Sequence, residues 1–159
     1  MLVYQATKRE FMDEDEVEAD AIADHITAAF ERKVHRANPA EVTSWRNSMG
    51  YMYKVLNTPE LPDGCGVAIE FSVPYTSSRI DFLLTGRQDG TRDAAVIVEL
   101  KQWQELEAIP TKDGVVRTKF KDGIRETAHP SYQAWSYARM IEDYNESVRQ
   151  AEIELVPCA

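Results

Sequence analysis

Three segments rich in Val, Ile and Phe follow one another at residues 67–74, 79–85 and 94–101, each bounded by Gly, Pro, Ser or Asp. β-Branched and aromatic runs punctuated in this way read as consecutive strands. A hairpin around 75–78 joins the first two, and the polar loop 86–93 joins the second to the third. On either side the apolar period changes from two to about 3.6. Ile22, Ile26, Ala29, Phe30 and Val34 place a helix over 19–34. Pro39, whose missing N–H is harmless in a first turn, opens a second helix that runs to Leu56 with Val42, Trp45, Met49, Met52 and Tyr53 on its apolar stripe. Pro130 opens a third, reaching Val148. Residues 2–6 read as an edge strand and 153–156 as a final strand. The charged stretch 102–128, with Asp113-Gly114 and Asp122-Gly123 turns, reads as a small flap or hairpin. The resulting order, α-α-β-β-β-α-β, predicts an α/β fold with a mixed sheet flanked by helices.

At 159 residues, with 43% apolar and 28% charged residues, the chain has the composition of one globular domain spanning 1–159. Cys65 and Cys158 are too few for a disulfide framework or a cysteine-based zinc site. No signal peptide and no stretch of about 18 apolar residues is present, so a cytoplasmic protein without a membrane partner is expected. The net charge is −9, which taken globally argues against a nucleic-acid partner. The charge is uneven, however. Residues 1–24 carry eight acids against two bases, and the run Asp13 to Glu16 reads as a solvated turn or helix start. Lys112, Arg117, Lys119, Lys121 and Arg125 make 110–125 locally basic. That stretch is either a phosphate-binding surface or a solvated flap.

The chemistry concentrates on the second and third strands. Alternation puts Glu99 and Lys101 on one face of 94–101, opposite Val98 and Leu100. Glu-x-Lys alone carries little information, because both residues are common. Asp81, set among the apolar residues of 79–85, changes its weight. If Asp81 and Glu99 share a face, two carboxylates converge on one divalent ion, and oxygen ligands without His or Cys favour Mg²⁺ or Mn²⁺. Lys101 would stand beside that ion. A separate signal is Gln133 with Tyr137, spaced i, i+4 on one helix face.

Asp81, then Glu99-Leu100-Lys101 on the next strand, then Gln133-x-x-x-Tyr137 on the following helix resembles the PD-(D/E)xK nuclease superfamily, RecB-like branch. The stretches 3–8, 44–48, 51–57, 79–82, 99–103 and 129–137 more narrowly resemble the N-terminal nuclease domain of bacterial Schlafen-group-like nuclease–helicases. The resemblance implies a restriction-endonuclease-like core and Mg²⁺- or Mn²⁺-dependent hydrolysis of phosphodiesters in DNA. It also implies a helicase domain in a longer protein and a role in phage defence or DNA processing. The chain itself has no Walker A motif and so no assignable ATPase. Carried over by position, Asp81 and Glu99 are the metal-binding acids, Leu100 supplies a backbone carbonyl ligand, and Lys101 is the catalytic lysine. Gln133 and Tyr137 support the site and DNA binding. Ile80 stands where the superfamily name has Pro. Glu70 is the first choice for a third acid, with Glu41 as the other choice or an N-terminal capping residue. His129, just before the last helix, either touches a phosphate or caps that helix, and Lys119 represents the basic stretch. The alternative function is a catalytically weak nucleic-acid-binding or docking module of a helicase.

Overall fold

The computed structural model describes residues 2–17 and 21–159. Its longest helix, α3 (Pro39–Leu56), begins at Asn38. The Asn38 side chain accepts from Ala40 and Glu41 N–H, and Glu41 Oε2 accepts from Asn38 N–H at 3.0 Å, a reciprocal capping box. Pro39 occupies the first turn, where no helical donor is lost. The same chemistry starts α1 (Lys8–Val17), where Thr7 and Glu10 exchange backbone N–H bonds through their side chains. α2 (Ala21–Lys33) follows.

The main sheet has five strands in the order β1 (Leu2–Thr7), β2 (Gly66–Ser72), β3 (Arg79–Gln88), β4 (Arg92–Val98), β8 (Glu154–Cys158). The first three pairings are antiparallel and β4–β8 is parallel, so the sheet is mixed. Between β4 and β8 lies a three-stranded antiparallel sheet of β5 (Leu106–Ala108), β6 (Val115–Phe120) and β7 (Gly123–Ala128). The helices α4 (Pro130–Tyr144) and α5 (Glu146–Gln150) complete the crossover.

Two apolar clusters hold the layers together. Phe11, Ile22, Ile26, Phe30, Trp45, Met49 and Leu56 of α1–α3 pack on Val67, Ile69 and Phe82 of the sheet. On the other face Ala134, Tyr137, Ala138 and Ile141 of α4 pack on Val73, Ile80 and Ile97. Phe82 is fully buried and meets the Phe11 ring edge-on with centroids 5.8 Å apart. Truncating it to Ala would cost about 3–5 kcal/mol. None of the described helices is long and apolar enough to cross a membrane.

The strand expected at the N-terminus is an edge strand, and the helix expected over 39–56 is α3. Other expectations need correction. The acidic run is neither a turn nor a helix start: its backbone lies in the second half of α1, whose start Thr7-x-x-Glu10 announces. Of the helix expected over 19–34, residues 19 and 20 lie outside the described residues, and α2 ends at Lys33. The third central strand stops at Val98: Glu99 N–H still bonds Cys158 O of β8, but Leu100 N–H turns to the Asp81 side chain. The last long helix stops at Tyr144, where the Asn145 side chain caps α5 instead. The flap is a full three-stranded sheet, so the order is β-α-α-α, six strands, α-α-β.

Candidate functional site

Strand register sets three carboxylates in a row. Phe82–Val98 is the last β3–β4 pair, which places Asp81 and Glu99 at the next cross-strand position. Glu70 stands opposite Asp81, between the β2–β3 pairs Ile69–Phe82 and Phe71–Ile80. Residues directly opposite one another on adjacent strands share a face in a regular sheet. Glu70 is not regular: its φ of 55° is left-handed, a conformation costing a non-glycine residue about 1–3 kcal/mol. Around it the alternation resets, with Ile69 and Phe82 facing the α1–α3 cluster and the next pair, Phe71 and Ile80, facing α4.

The kink re-aims Glu70 towards α3. Trp45 Nε1 donates to Glu70 Oε1 at 2.8 Å, and Arg79 Nε lies 2.5 Å from Oε2 as an ion pair without hydrogen-bond alignment. Arg79 also donates through Nη2 to Glu41 Oε1 at 3.2 Å. Glu41 therefore spends one oxygen on the helix cap and the other on Arg79, which is the capping alternative of its two expected roles. Glu99 is held instead from α4. Gln133 Nε2 donates to Glu99 Oε1 at 2.7 Å and to Tyr137 Oη at 2.7 Å. Lys101 Nζ pairs with the same Oε1. Glu99 Oε2 is buried and has no hydrogen-bond donor.

Between these two, Asp81 Oδ2 accepts from Leu100 N–H at 2.8 Å, and its carboxyl is close enough to Glu99 for the two charges to act on one another. Burial, then the charge of Glu99, pushes Asp81 up to about 6, against the opposing pull of Leu100 N–H, Lys101 and Arg79. Burial raises Glu99 as well; the Lys101 ammonium opposes this and Glu70 adds to it. Glu70 is raised mainly by burial, with the Trp45 and Arg79 contacts pulling it back. Three acids in this field cannot all ionise cheaply unless a cation joins them.

The site thus brings together Asp81, Glu99, Leu100, Lys101, Gln133 and Tyr137. Glu70 lines a cavity of about 30 Å³ with Asp81, Ser44, Trp45, Ser48 and Leu100. That volume admits one water or one small ion. The orphaned Glu99 oxygen and the all-oxygen donor set fit a hard divalent cation. Among the described residues no group of three His, Cys, Asp or Glu is gathered as a metal cluster.

Two expected residues lie elsewhere. His129 caps α4, its Nδ1 accepting from Ser131 N–H at 3.1 Å. Lys119 sits exposed on β6, with no bond to the acids among the described residues. The basic stretch around it is largely neutralised by its own sheet: Lys112 and Arg117 pair with Glu126, Arg117 with Glu107, and Arg125 with Asp122.

Trp45, Arg79 and Gln102 are site residues whose roles the sequence did not disclose. Gln102 Nε2 reaches Ser44 O at 3.0 Å and Ser48 Oγ at 3.3 Å, while Asn47 Nδ2 reaches Gln102 Oε1 at 3.2 Å. These bonds latch the segment after Lys101 onto α3. A polar Gln directly after Glu-x-Lys was the available signal. No protein-family model, curated protein or solved structure matches the chain.

Proposed function

We propose that this domain is a Mg²⁺- or Mn²⁺-dependent nuclease hydrolysing phosphodiester bonds in DNA, with Asp81, Glu99 and Lys101 as its reactive set. One observation carries the reading. Two carboxylates that resist ionisation together meet at the end of adjacent strands, with one buried oxygen unpaired and a lysine two residues on. The mixed sheet with helices on both faces supports a restriction-endonuclease-like core. The link to a helicase in a longer protein and to phage defence rests on the resemblance alone.

Asp81 and Glu99, with the Leu100 carbonyl, would hold the cation. When bound, a divalent cation neutralises phosphate charge and acidifies a water. The chain's own residues do the rest. Leu100 N–H fixes the Asp81 carboxylate, and Gln133 and Lys101 fix that of Glu99. Tyr137, buried behind Gln133, holds the amide in place. Lys101, whose side chain is about a quarter exposed, is the cation able to turn from Glu99 to a water or to charge developing on a phosphate.

The binding-module alternative draws on one observation of its own: Glu70 is engaged by Trp45 and Arg79, leaving two acids where a third was expected. Incubation with linear, circular, single- and double-stranded DNA in Mg²⁺, Mn²⁺ or EDTA decides between them. Cleavage with the cations, absent in EDTA and in Asp81→Asn, is expected. Binding without cleavage under any of these conditions would favour the module.

A further inference from the structure

Beside the acids runs a groove of about 850 Å³ between α3 and the segment that follows β4. Its walls carry Tyr51 and Lys54 on one side and Lys101 and Trp103 on the other, with Asn47, Gln102 and Gln104 between. Each aromatic ring has a lysine over it: Lys54 Nζ lies 5.4 Å from the Tyr51 centroid and Lys101 Nζ 5.9 Å from that of Trp103. Among the described residues no carboxylate lines the groove, in a chain whose net charge is −9. Lys54 has no ion-pair partner among the described residues. Tyr51 is 68% exposed, so its ring is open to a ligand. The groove shares Ser48 and Leu100 with the small cavity lined by Asp81 and Glu70, so the two adjoin, and Lys101 of the groove pairs with Glu99.

We propose that this groove is the path of a single strand of nucleic acid into the site, its bases stacking on Tyr51 and Trp103 and its phosphates meeting Lys54 and Lys101. The proposal rests on the nuclease reading and adds the substrate class. Two arguments select a single strand over a duplex. Base faces are free to stack on a side chain only when the bases are unpaired. A duplex presents one phosphate charge per about 1.7 Å of axis, and two lysines on an acidic protein cannot answer that density. A single strand carries less charge per length, and base stacking supplies the affinity that electrostatics does not. Paired ring and ammonium groups suit the alternation of base and phosphate along the strand.

The test is fluorescence anisotropy at low salt, with Ca²⁺ in place of a turnover-supporting cation. The probes are a labelled short oligo-dT, the matching oligo-rU and a labelled duplex, titrated with the 159-residue chain. Tyr51→Ala should weaken single-strand binding about tenfold and leave duplex binding, where measurable, unchanged. Lys54→Ala should weaken it and reduce the salt slope by about 0.7. Because Trp103 also packs edge-on against Phe120, Trp103→Phe replaces the alanine variant there and should retain most of the affinity. Loss with either oligonucleotide supports the groove, and the tighter arm names the sugar. Wild-type affinity in Tyr51→Ala, tighter binding of duplex than of single strand, or no binding at all overturns it. The two readings fail separately. A chain that binds strands through Tyr51 but cuts nothing loses the nuclease assignment, whereas one that cuts while indifferent to Tyr51 loses the groove.

Discussion

The backbone N–H of Leu100 donates to Asp81 Oδ2 at 2.8 Å, in the place where a β3–β4 ladder bond would otherwise continue. A side chain thus takes over from the sheet at the position where the strands part. The bond clamps the Glu99-Leu100-Lys101 segment to β3, so Asp81 orients the other two reactive groups as well as offering its own oxygens.

Stability should depend on pH through Asp81. Its folded value is about 6 against 3.8 for the free side chain, so folding takes up a proton between those values. Its stabilising contribution is complete below about pH 4 and lost as pH rises through about 6, leaving a penalty of up to about 3 kcal/mol. Asp81→Asn removes that penalty. Thermal melts in EDTA should show the variant several degrees more stable at about pH 8, with the gain gone at about pH 4. A variant less stable than wild type at about pH 8 would contradict the buried-charge argument.

Cation binding should oppose that same proton. Millimolar Mn²⁺ is expected to raise the melting temperature at about pH 8, where the acids are ionised, and to do so less at about pH 5. Asp81→Asn should abolish the shift. Equal shifts in wild type and variant, measured by differential scanning calorimetry, would place the ion elsewhere.

Glu70 should behave as a structural acid. Arg79 bridges Glu70 and Glu41, and both its partners are less than a quarter exposed at the side chain. Arg79→Gln leaves Glu70 buried without its cation and should destabilise by about 3 kcal/mol. Adding Glu70→Gln should recover part of that loss, since the uncompensated charge is then gone. Urea melts of the two single variants and the double variant measure the coupling, expected at about 1–3 kcal/mol. Strict additivity would deny the bridge. Loss of the Mn²⁺ shift in Glu70→Gln alone would restore Glu70 as a metal ligand.

Much of this was legible because local chemistry and tertiary context agree. Pro39 and the apolar stripe of α3 each mark the helix, and the β-rich runs mark β2–β4. What the sequence concealed depends on contacts between distant residues. Glu41, Glu70 and Arg79 meet only after folding, so no spacing rule predicts that Arg79 will occupy both acids. The left-handed backbone at Glu70 cannot be read from the apolar run around it, and without it alternation leaves its direction open. The basic character of 110–125 dissolved because Glu107 and Glu126, just outside that window, are brought opposite Arg117 by the strand register. Thr7-x-x-Glu10 was a local signal and readable. It was hidden by the strand-like residues that precede it.

Lys101→Ala tests the central claim most directly, read in parallel as single-turnover cleavage in Mn²⁺ and binding in Ca²⁺. If Lys101 acts on the attacking water or on transition-state charge, cleavage falls by about 100-fold or more while affinity changes only a few-fold. The variant cutting DNA at the wild-type rate would contradict the role assigned to Lys101. A wild-type protein that binds DNA and cuts no substrate with any divalent cation would contradict the nuclease itself.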